Sequence, residues 1–261
     1  MHEQAARNLG VRYHYHLIEV EGAGREELRT LLDGVRRLGF AGVNVTFPYK
    51  EAVVDLLDEL SPGAAAIGAI NTVVVSDHRL IGHNTDTSGF ARAATDLVEG
   101  AGQGAVALIG AGGVGRAIAF ALAKLGVAEI RIFDTDWSKA EKPARLLRPD
   151  VEAVAVNKIE DAVRGAIGLV NATPVGMFPS QSSPVPDALL HNGLWVADAV
   201  YFPLQTPLLM SANAKGARIM TGRELAIYQA ADAFELFTGL APSTIEMGNA
   251  FDRIIGKTHA T

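Results

Sequence analysis

The chain has 261 residues, of which 49% are hydrophobic and 20% charged, and its formal net charge is −6. This composition is typical of a globular protein with one or two domains, and its acidic balance argues against a nucleic-acid-binding protein. The absence of cysteine excludes a disulfide framework, a cysteine nucleophile and a thiolate zinc site. No apolar run approaches the ~20 residues of a membrane span and the first residues do not resemble a signal peptide, so we expect a cytoplasmic protein that does not bind membranes.

Strand-like and helix-like segments alternate along the first 98 residues, which is typical of an α/β protein with parallel sheet. Helices are predicted where apolar residues recur at helical spacing, at 2–9, 25–38, 51–60 and 88–98. Strands are predicted at 13–20 and 40–45, and a hairpin is predicted for 70–75 with 79–82. His14 and His16 would share one face of the first strand, which is a weak metal signal, and we predict no metal site.

A glycine-rich stretch at 99–104 interrupts this pattern and predicts a domain boundary. We expect residues 1–98 and the C-terminal helices of 223–261 to form a substrate-binding catalytic domain. Residues 99–222 are expected to form a doubly wound Rossmann domain, with a cleft between the two domains. Its predicted strands are 105–109, 128–133, 151–156, 167–171, 194–200 and 217–220. Its predicted helices are 114–125, 138–147, 159–164 and 205–215, and 223–255 is predicted to be helical.

A G-x-G-x-x-G motif, formed by Gly110, Gly112 and Gly115, lies between the first strand and the first helix of this domain. The three glycines allow a tight turn, a close approach of a pyrophosphate to the backbone, and close helix–strand packing. Gly113 and Val114 lie inside the motif, where the helix N-terminus offers free N–H groups to phosphates. The motif therefore predicts a dinucleotide site, and a glycine-rich turn in an unrelated domain is the alternative.

Asp134 ends the second strand of this domain, near the position at which a carboxylate binds the ribose diol of NAD. A carboxylate there also repels the 2′-phosphate of NADP, and no arginine lies between 132 and 144 to bind that phosphate. The sequence therefore favours NAD, with NADP as the less favoured cofactor. The alternative for Asp134 is that it merely caps the next helix.

Lys50 and Asp86 lie in two polar loops of the first domain. Pro48 fits a helix start, so we expect Lys50 in the first turn of a helix. The positive end of the helix dipole favours loss of the lysine proton, which makes Lys50 a candidate general base. The alternatives are a solvent-exposed lysine and an Asp86 that caps its own helix, and Asn71 alone is more typical of a turn than of a ligand site.

Seven segments, in order over nearly the whole chain, resemble the shikimate dehydrogenase family, which includes the quinate/shikimate dehydrogenases. They are NVTFPYK at 44–50, GAINTV at 68–73, GHNTDTSGF at 82–90, GAGGVG at 110–115, NATPVGM at 171–177, DAVYFPLQTPLL at 198–209 and GRELAIYQAADAFELFTG at 222–239. The resemblance implies two α/β domains and an NAD(P)-dependent oxidoreductase that acts on a CH–OH group of shikimate or quinate. The sequence DTD at 134–136 is similar to the NAD-using branch, whereas NADP-dependent members usually carry an Asn-Arg-Thr type sequence there.

The same resemblance implies that Lys50 and Asp86 are the catalytic pair beside the reacting hydroxyl. It implies substrate contacts at Thr46, Asn71, Tyr201 and Gln229. It implies contacts to the nicotinamide end of the cofactor at Asn171, Thr173, Gly176 and Met177, and a further cofactor contact at Gly222. In the implied reaction, a ring hydroxyl loses its proton towards Lys50 and its hydride to C4 of the nicotinamide, while Asp86 hydrogen-bonds the hydroxyl and orients Lys50. Without the resemblance, Tyr201 would be interpreted as a core aromatic residue and Gln229 as one polar residue on a packed helix face.

Two alternatives stand beside an NAD-linked shikimate or quinate dehydrogenase. One is an NADP-dependent shikimate dehydrogenase of aromatic amino acid biosynthesis, and the other is a non-catalytic NAD-binding homologue. Members of the family begin with a strand and a Ser-x-Ser/Thr-Pro loop ahead of a Met-His segment, whereas this chain begins at Met1. We therefore expect the native polypeptide to start upstream, or this form to bind its substrate poorly. The sequence does not rank shikimate against quinate or define the oligomeric state, with which a homodimer is compatible.

Overall fold

The computed structural model describes residues 1–258, with side chains described up to Gly256. The chain divides into two compact units. Unit 1 contains Met1–Asp86 together with the chain from Ile227, and unit 2 contains Thr87–Ala226. The sequence patterns instead predict boundaries at 98/99 and 222/223. They differ because the helix that follows Asp86 packs Phe90 and Ala94 into the core of unit 2.

Unit 1 contains a four-stranded mixed sheet with helices beside it. Its helices are α1 (His2–Asn8), α2 (Arg25–Arg37), α3 (Pro62–Ile67) and α10 (Thr244–Thr258), and its strands are β1 (Gly42–Asn44), β2 (Glu59–Leu60), β3 (Thr72–Ser76) and β4 (Arg79–His83). The strand order is β1-β3-β4-β2, in which β3 is antiparallel to both neighbours and β2 is parallel to β4. The predicted hairpin is confirmed, but the expectation of a parallel sheet is wrong for this unit.

The core of unit 1 follows from the spacing of its apolar residues. In α2, Leu28, Leu32 and Val35 are buried and lie on one helical face. Leu28 and Leu32 pack with Val73 and Leu80 of the hairpin in one hydrophobic cluster. The hairpin is therefore held against a helix, which fixes the strand ends that carry the polar loops.

Two predicted elements of unit 1 are wrong. Residues 13–20 form no strand, and Leu17 in this segment is 70% exposed. The segment is attached by side chains, since Tyr15 OH donates to Asn44 Oδ1 at 2.9 Å and Tyr49 OH donates to the Val20 carbonyl at 3.1 Å. The alternating pattern of residues 13–20 therefore predicted a strand that the structure does not form.

Residues 51–60 form turns, a short 3-10 helix at Val54–Leu56 and the strand β2, instead of the predicted helix. Their apolar side chains still pack in the hydrophobic cluster of unit 1. Their backbone pairs with neighbouring segments, since Lys50 O accepts from Ile70 N at 2.7 Å and Asp58 N donates to Leu80 O at 3.0 Å. Tertiary pairing has overridden the helical spacing here.

Unit 2 contains a six-stranded, fully parallel sheet, as the sequence predicted. Its strands are β5 (Ala105–Ile109), β6 (Glu129–Phe133), β7 (Glu152–Ala155), β8 (Gly168–Asn171), β9 (Trp195–Asp198) and β10 (Arg218–Met220). The helices are α4 (Asp86–Glu99), α5 (Gly113–Lys124), α6 (Trp137–Leu147), α7 (Ile159–Val163), α8 (Pro207–Ala214) and α9 (Gly222–Thr238). The first residue of α4 and the larger part of α9, from Ile227, belong to unit 1. The strand order is β10-β9-β8-β5-β6-β7.

This strand order fixes where a ligand can bind in unit 2. The chain winds from β5 towards β7 in one direction and from β8 towards β10 in the other, so the order reverses between β5 and β8. Open parallel sheets bind ligands beyond the carboxyl ends of the strands at such a point. The loops that follow Ile109 and Asn171 therefore border the expected cofactor site.

The predicted helical segment 223–255 consists of two helices. The first, α9, ends at Thr238, and Gly239 follows it with a φ of 71°. The second, α10, contacts α1 within unit 1. Among the residues that the structure describes, no helix is long and apolar enough to cross a membrane.

Candidate active site

Lys50 and Asp86 form a closely paired, largely buried ion pair in unit 1. Lys50 Nζ lies 2.6 Å from Asp86 Oδ2, and the two side chains are only 13% and 6% exposed. A carboxylate withdrawn from water to this extent needs a charged or hydrogen-bonding partner, because an uncompensated buried charge is strongly destabilising. The pair thus places an amine beside a carboxylate, and both groups can take part in general acid–base catalysis.

The local structure at Lys50 differs from the expectation. Lys50 lies in a turn that follows Pro48 and precedes the 3-10 helix, not in the first turn of an α-helix. The turn is closed by a hydrogen bond from Tyr49 N to Thr46 O at 3.0 Å. No helix dipole therefore acts on Lys50, and the charged group beside its amine is the carboxylate of Asp86.

Asn71 holds the second oxygen of the Asp86 carboxylate. Its Nδ2 donates to Asp86 Oδ1 at 2.9 Å and to Thr85 Oγ1 at 2.9 Å. Its Oδ1 accepts from Thr85 N at 2.8 Å and from Thr72 Oγ1 at 3.0 Å. Both amide hydrogens and both lone pairs of Asn71 are thus used within unit 1. The carboxylate of Asp86 is fixed from one side by Asn71 and from the other by Lys50.

The other predicted substrate residues occupy three different positions. Gln229 lies on α9, and its backbone carbonyl accepts from Thr85 Oγ1 at 2.9 Å, which ties this helix to the residue next to Asp86. Thr46 is exposed on the loop that leads to Lys50. Tyr201 belongs to unit 2 and is 52% exposed on the loop after β9. Within unit 1 the side chains of Asn71, Asp86 and Lys50 form one hydrogen-bonded set, to which Gln229 is connected only by its backbone carbonyl through Thr85.

Sequence reasoning did not identify the polar side chains beneath this set. Asn44 Nδ2 donates to Thr72 Oγ1 at 3.0 Å, and Asn44 Oδ1 accepts from Tyr15 OH at 2.9 Å. Thr72 and Thr85 are both buried. Thr72 and Thr85 each stand beside a predicted site residue in the sequence, and polar side chains at strand ends next to a motif were the available signal. Thr72 and Thr85 hydrogen-bond the Asn71 side chain, which in turn holds the Asp86 carboxylate.

In unit 2, the loop between β5 and α5 has the shape that a pyrophosphate requires. Gly110 has a φ of +96°, which a residue with a side chain rarely adopts. A Cβ atom on Gly115 would lie 2.0 Å from the Gly110 carbonyl oxygen, whereas a Cβ on Gly112 would meet no atom within 4 Å. Gly112 therefore faces open space at the point where α5 begins with Gly113 and Val114. The residues present fit a dinucleotide.

Asp134 follows β6 and bonds the same loop. Its Oδ2 accepts from Ala111 N at 2.7 Å, and its Oδ1 accepts from Asp136 N at 2.9 Å. The N-cap of α6 is Asp136, whose side chain accepts from Ser138 N at 3.0 Å, so helix capping does not explain Asp134. An ionised carboxylate has further lone pairs for the hydroxyls of a ribose. Asp134 thus combines a structural bond to the glycine loop with a capacity to bind a diol.

The remaining predicted cofactor residues surround the ends of β8 and β9. Thr173 is partly buried, and Met177 is 42% exposed. Gly176 has a φ of +96°. At Gly222 a Cβ would lie 2.4 Å from the Val200 carbonyl oxygen, so this glycine allows α9 to begin against the loop after β9. In the described part of the chain, no three His, Asp or Glu side chains are grouped to hold a metal ion.

Comparison with known proteins gives consistent matches. Residues 1–73 match the family described as the shikimate dehydrogenase substrate binding domain. A Streptomyces avermitilis protein named shikimate dehydrogenase (NADP(+)) is 41% identical over 95% of this chain and 87% of its own length. A protein of Corynebacterium glutamicum (strain R) named quinate/shikimate dehydrogenase (NAD(+)) is 42% identical over 96% of this chain and 92% of its own length. Relatives named for the two cofactors are thus about equally similar to this chain.

Solved structures match over nearly the whole chain. A quinate dehydrogenase from Corynebacterium glutamicum in complex with NAD superimposes with a TM-score of 0.87 at 41% identity, covering 96% of this chain and 92% of that chain. A shikimate 5-dehydrogenase from Thermus thermophilus in complex with NADP(H) and shikimate superimposes with a TM-score of 0.84 at 38% identity, covering 97% of this chain and 92% of that chain.

Proposed function

The chain belongs to the shikimate dehydrogenase family, and on that premise we propose that it transfers a hydride between NAD and a ring hydroxyl of shikimate or quinate. The family makes it an oxidoreductase that acts on a CH–OH group with a nicotinamide cofactor. The preference for NAD and the roles of individual residues are the parts that need support from the geometry. The observation that carries the proposal is the buried pair of Lys50 and Asp86 at 2.6 Å.

We propose that Lys50 is the acid–base group of this reaction. In the oxidation direction, Lys50 Nζ in its neutral form takes the proton of the substrate hydroxyl, and in reduction the same nitrogen returns it. Asp86 Oδ2 holds Nζ in place, and Asn71 holds the other carboxylate oxygen so that Asp86 cannot turn away. The bound nicotinamide supplies the acceptor for the hydride that leaves the same carbon.

We propose that Thr46, Asn71 and Gln229 in unit 1, and Tyr201 in unit 2, contribute to substrate binding. Thr46 begins the turn that carries Lys50, and the backbone of Gln229 is hydrogen-bonded to Thr85, the residue next to Asp86. Asn71 would have to exchange one of its four internal hydrogen bonds for a bond to the substrate. We therefore assign Asn71 first to the orientation of Asp86.

The proposed preference for NAD rests on Asp134. Its carboxylate stands at the end of β6, where the diol of an adenosine ribose is bound in this fold, and it is already oriented by Ala111 N. A 2′-phosphate at this place would meet the negative charges of both Asp134 and the exposed Asp136. Charge repulsion against the 2′-phosphate therefore favours NAD over NADP.

The experiment that tests the proposed function is a two-by-two set of initial rates, with shikimate and quinate each measured against NAD and NADP. We expect kcat/KM with NAD to exceed kcat/KM with NADP for at least one of the two acids, and the Lys50→Ala variant serves as the enzyme blank. Equal or higher kcat/KM with NADP would show that the cofactor assignment is wrong. No turnover in any of the four combinations would favour a non-catalytic nucleotide-binding homologue.

A further inference from the structure

Unit 2 contains a buried carboxylate that the proposed chemistry does not use. Asp198 is the last residue of β9, and it lies directly opposite Asn171, the last residue of β8, in the parallel register. Both side chains are fully buried. Burial raises the pKa of Asp198 to about 6, against three hydrogen bonds that lower it. Burying a carboxylate costs free energy of folding, which its hydrogen bonds have to offset. The segments that those bonds connect therefore indicate the role of Asp198.

All three hydrogen bonds at Asp198 are donated to it. Its Oδ1 accepts from Asn171 Nδ2 at 2.9 Å and from Val200 N at 2.9 Å, and its Oδ2 accepts from Thr206 Oγ1 at 2.7 Å. Thr206 is the N-cap of α8, and its oxygen accepts from Leu209 N at 3.3 Å. The hydroxyl hydrogen of Thr206 is therefore available for Asp198. In this arrangement both oxygens of Asp198 act as acceptors.

The loop after β8 comprises residues 172–178 and is called the β8 loop. Asn171 connects Asp198 to this loop by hydrogen bonds. Its Nδ2 also donates to Val175 O at 3.1 Å. Its Oδ1 accepts from Thr173 N at 3.0 Å and from Thr173 Oγ1 at 2.7 Å. Every hydrogen-bonding site of the Asn171 side chain is thus used inside the protein, so this residue shapes the loop instead of reaching a ligand.

The loop after β9 comprises residues 199–206 and is called the β9 loop. Asp198 is hydrogen-bonded to both ends of this loop. Val200 stands at its start and Thr206 at its finish. The two loops also touch each other, since Phe178 N donates to Phe202 O at 3.2 Å and the two rings are 6.0 Å apart. The Asp198 carboxylate is thus bonded directly to the β9 loop and, through Asn171, to the β8 loop.

We propose that Asp198 is a positioning residue that holds the β8 and β9 loops in the shape that binds the nicotinamide half of the cofactor. The inference rests on the proposed function, together with the family resemblance that implies contacts from Thr173, Gly176 and Met177 of the β8 loop to the nicotinamide. The adenosine half is assigned to Asp134 and the glycine loop, whose hydrogen bonds do not involve Asp198. The two halves of the cofactor should therefore respond differently to a change at position 198.

The test compares two ligands on the full chain: NAD, and ADP-ribose, which is NAD without the nicotinamide ring. In Asp198→Asn the new NH₂ group either faces the N–H donors of Asn171 and Val200, or faces Thr206 Oγ1, whose hydroxyl must then accept instead of donate; at least one of the three hydrogen bonds is therefore lost or reversed. We expect the Kd for NAD to rise about tenfold, which corresponds to one such bond, and the Kd for ADP-ribose to change by less than about twofold. Titration calorimetry measures both constants, and Asp150→Asn, an exposed carboxylate of unit 2, is the matched control.

A second pair of variants keeps the test decisive if Asp198→Asn does not fold. Thr206→Val removes one donor to Asp198, whereas Thr206→Ser keeps the hydroxyl. We expect the valine variant alone to weaken NAD relative to ADP-ribose, and the serine variant to behave as the wild type.

Unchanged NAD affinity in Asp198→Asn and Thr206→Val, or an equal loss for NAD and ADP-ribose, would overturn the inference while leaving the proposed function in place. A wild-type chain that binds neither ligand would instead overturn the proposed function, and the role of Asp198 with it.

Discussion

The two units prepare their sites by different means. In unit 1 the site consists of side chains that hold one another, with Lys50, Asp86 and Asn71 in a continuous set of hydrogen bonds. In unit 2 the nucleotide loop consists of backbone, and its decisive residues are glycines that leave room or permit a close approach. The first kind of site is sensitive to the chemistry of a group, and the second to the volume of an added atom. Substitutions in the two units should therefore damage different steps.

The largest expected effect is in unit 1. We predict that Lys50→Ala lowers kcat by ~10²–10⁴-fold, because general acid–base groups typically contribute that much. The Kd for NAD should stay unchanged, since the nucleotide loop is built entirely within unit 2. Steady-state rates and calorimetric titration of NAD measure the two quantities. Lys158→Ala removes an exposed lysine from unit 2 and is the control.

A near wild-type kcat in Lys50→Ala would show that Lys50 only binds and that another group moves the proton. Asp86→Asn gives an independent check on the same pair. This variant keeps the size of the side chain but removes the charge that holds Lys50 Nζ at 2.6 Å. We expect a comparable loss of kcat, again with unchanged NAD affinity.

The next effect contrasts two glycines of one loop. Gly115→Ala places a methyl group 2.0 Å from the Gly110 carbonyl oxygen, so we expect unit 2 to lose about 1–3 kcal/mol of stability or more. Gly112→Ala has room for the methyl group and an ordinary φ of −68°, so it should fold normally. Its added methyl group occupies the space left for the pyrophosphate, and we expect NAD binding to weaken by about tenfold or more.

Tryptophan fluorescence separates these outcomes, because the chain has two tryptophans, Trp137 and Trp195, and both lie in unit 2. Urea unfolding followed by this signal reports the stability of unit 2 for each glycine variant. Normal NAD affinity in Gly112→Ala would mean that the phosphates do not approach the loop at that residue, and the assignment of the cradle would be wrong.

A comparable effect on NAD binding is expected at Asp134. Asp134→Ala removes a charged acceptor for the ribose diol, and we predict that NAD affinity falls roughly 10–100-fold, as expected for a lost hydrogen bond to a charged group. Asp134→Asn keeps an acceptor for Ala111 N but loses the charge and the acceptor for Asp136 N, and we expect the lost charge mainly to raise the affinity for NADP relative to NAD. The ratio of kcat/KM for the two cofactors measures this change.

Asp136→Asn is the matched control, because it removes a neighbouring exposed charge and leaves an N-cap residue on α6. We expect its effect on the cofactor ratio to be the smaller of the two. An unaltered ratio in Asp134→Asn would remove charge repulsion as the reason for a preference for NAD.

The last expected effect is a pH dependence of the stability of unit 2. The pKa of Asp198 is raised by burial to about 6 from 3.8, so the native state binds this proton more tightly than the unfolded chain does. The associated stability is fully present below pH ~4 and is lost as the pH rises through ~6, by about 3 kcal/mol or less. We predict that the free energy of unfolding of the wild type, relative to that of Asp198→Asn, falls over this range. A constant difference between the two proteins would contradict the assignment.

The Rossmann unit was largely predictable from the sequence because its signals are local. The predicted strand 105–109 coincides with β5, since an all-apolar run followed by a glycine turn leaves few other solutions. In unit 1 the apolar positions of 51–60 were also predicted, but not their backbone. A helical spacing of leucines does not reveal that Ile70 and Leu80 will bond the backbone at Lys50 and Asp58. Pairing between distant segments is the information that a local pattern lacks.

The candidate site divides in the same way. Lys50, Asp86 and Asp134 could be selected from their motifs, because their chemistry is visible in a short stretch of sequence. The 2.6 Å contact between the first two depends on the β3–β4 hairpin and on the turn at Lys50, and neither distance nor burial follows from spacing. Asp198 gave no local signal of its task, because an aspartate at a strand end is equally compatible with a simple turn. Its role requires Asn171 and Thr206, which come from two other segments.

The hydrogen bond from Thr85 to the backbone of Gln229 joins residues that are made at very different times during translation. Unit 2 is complete in the chain once residue 226 has left the ribosome, whereas unit 1 lacks Gln229 and α10 until residues 227–258 have followed. The first 86 residues must therefore wait, with the α1 surface that α10 contacts still uncovered, while the nucleotide-binding unit can already fold. We therefore expect unit 2 to fold before unit 1 in a growing chain, and the last helices to be synthesised to complete unit 1.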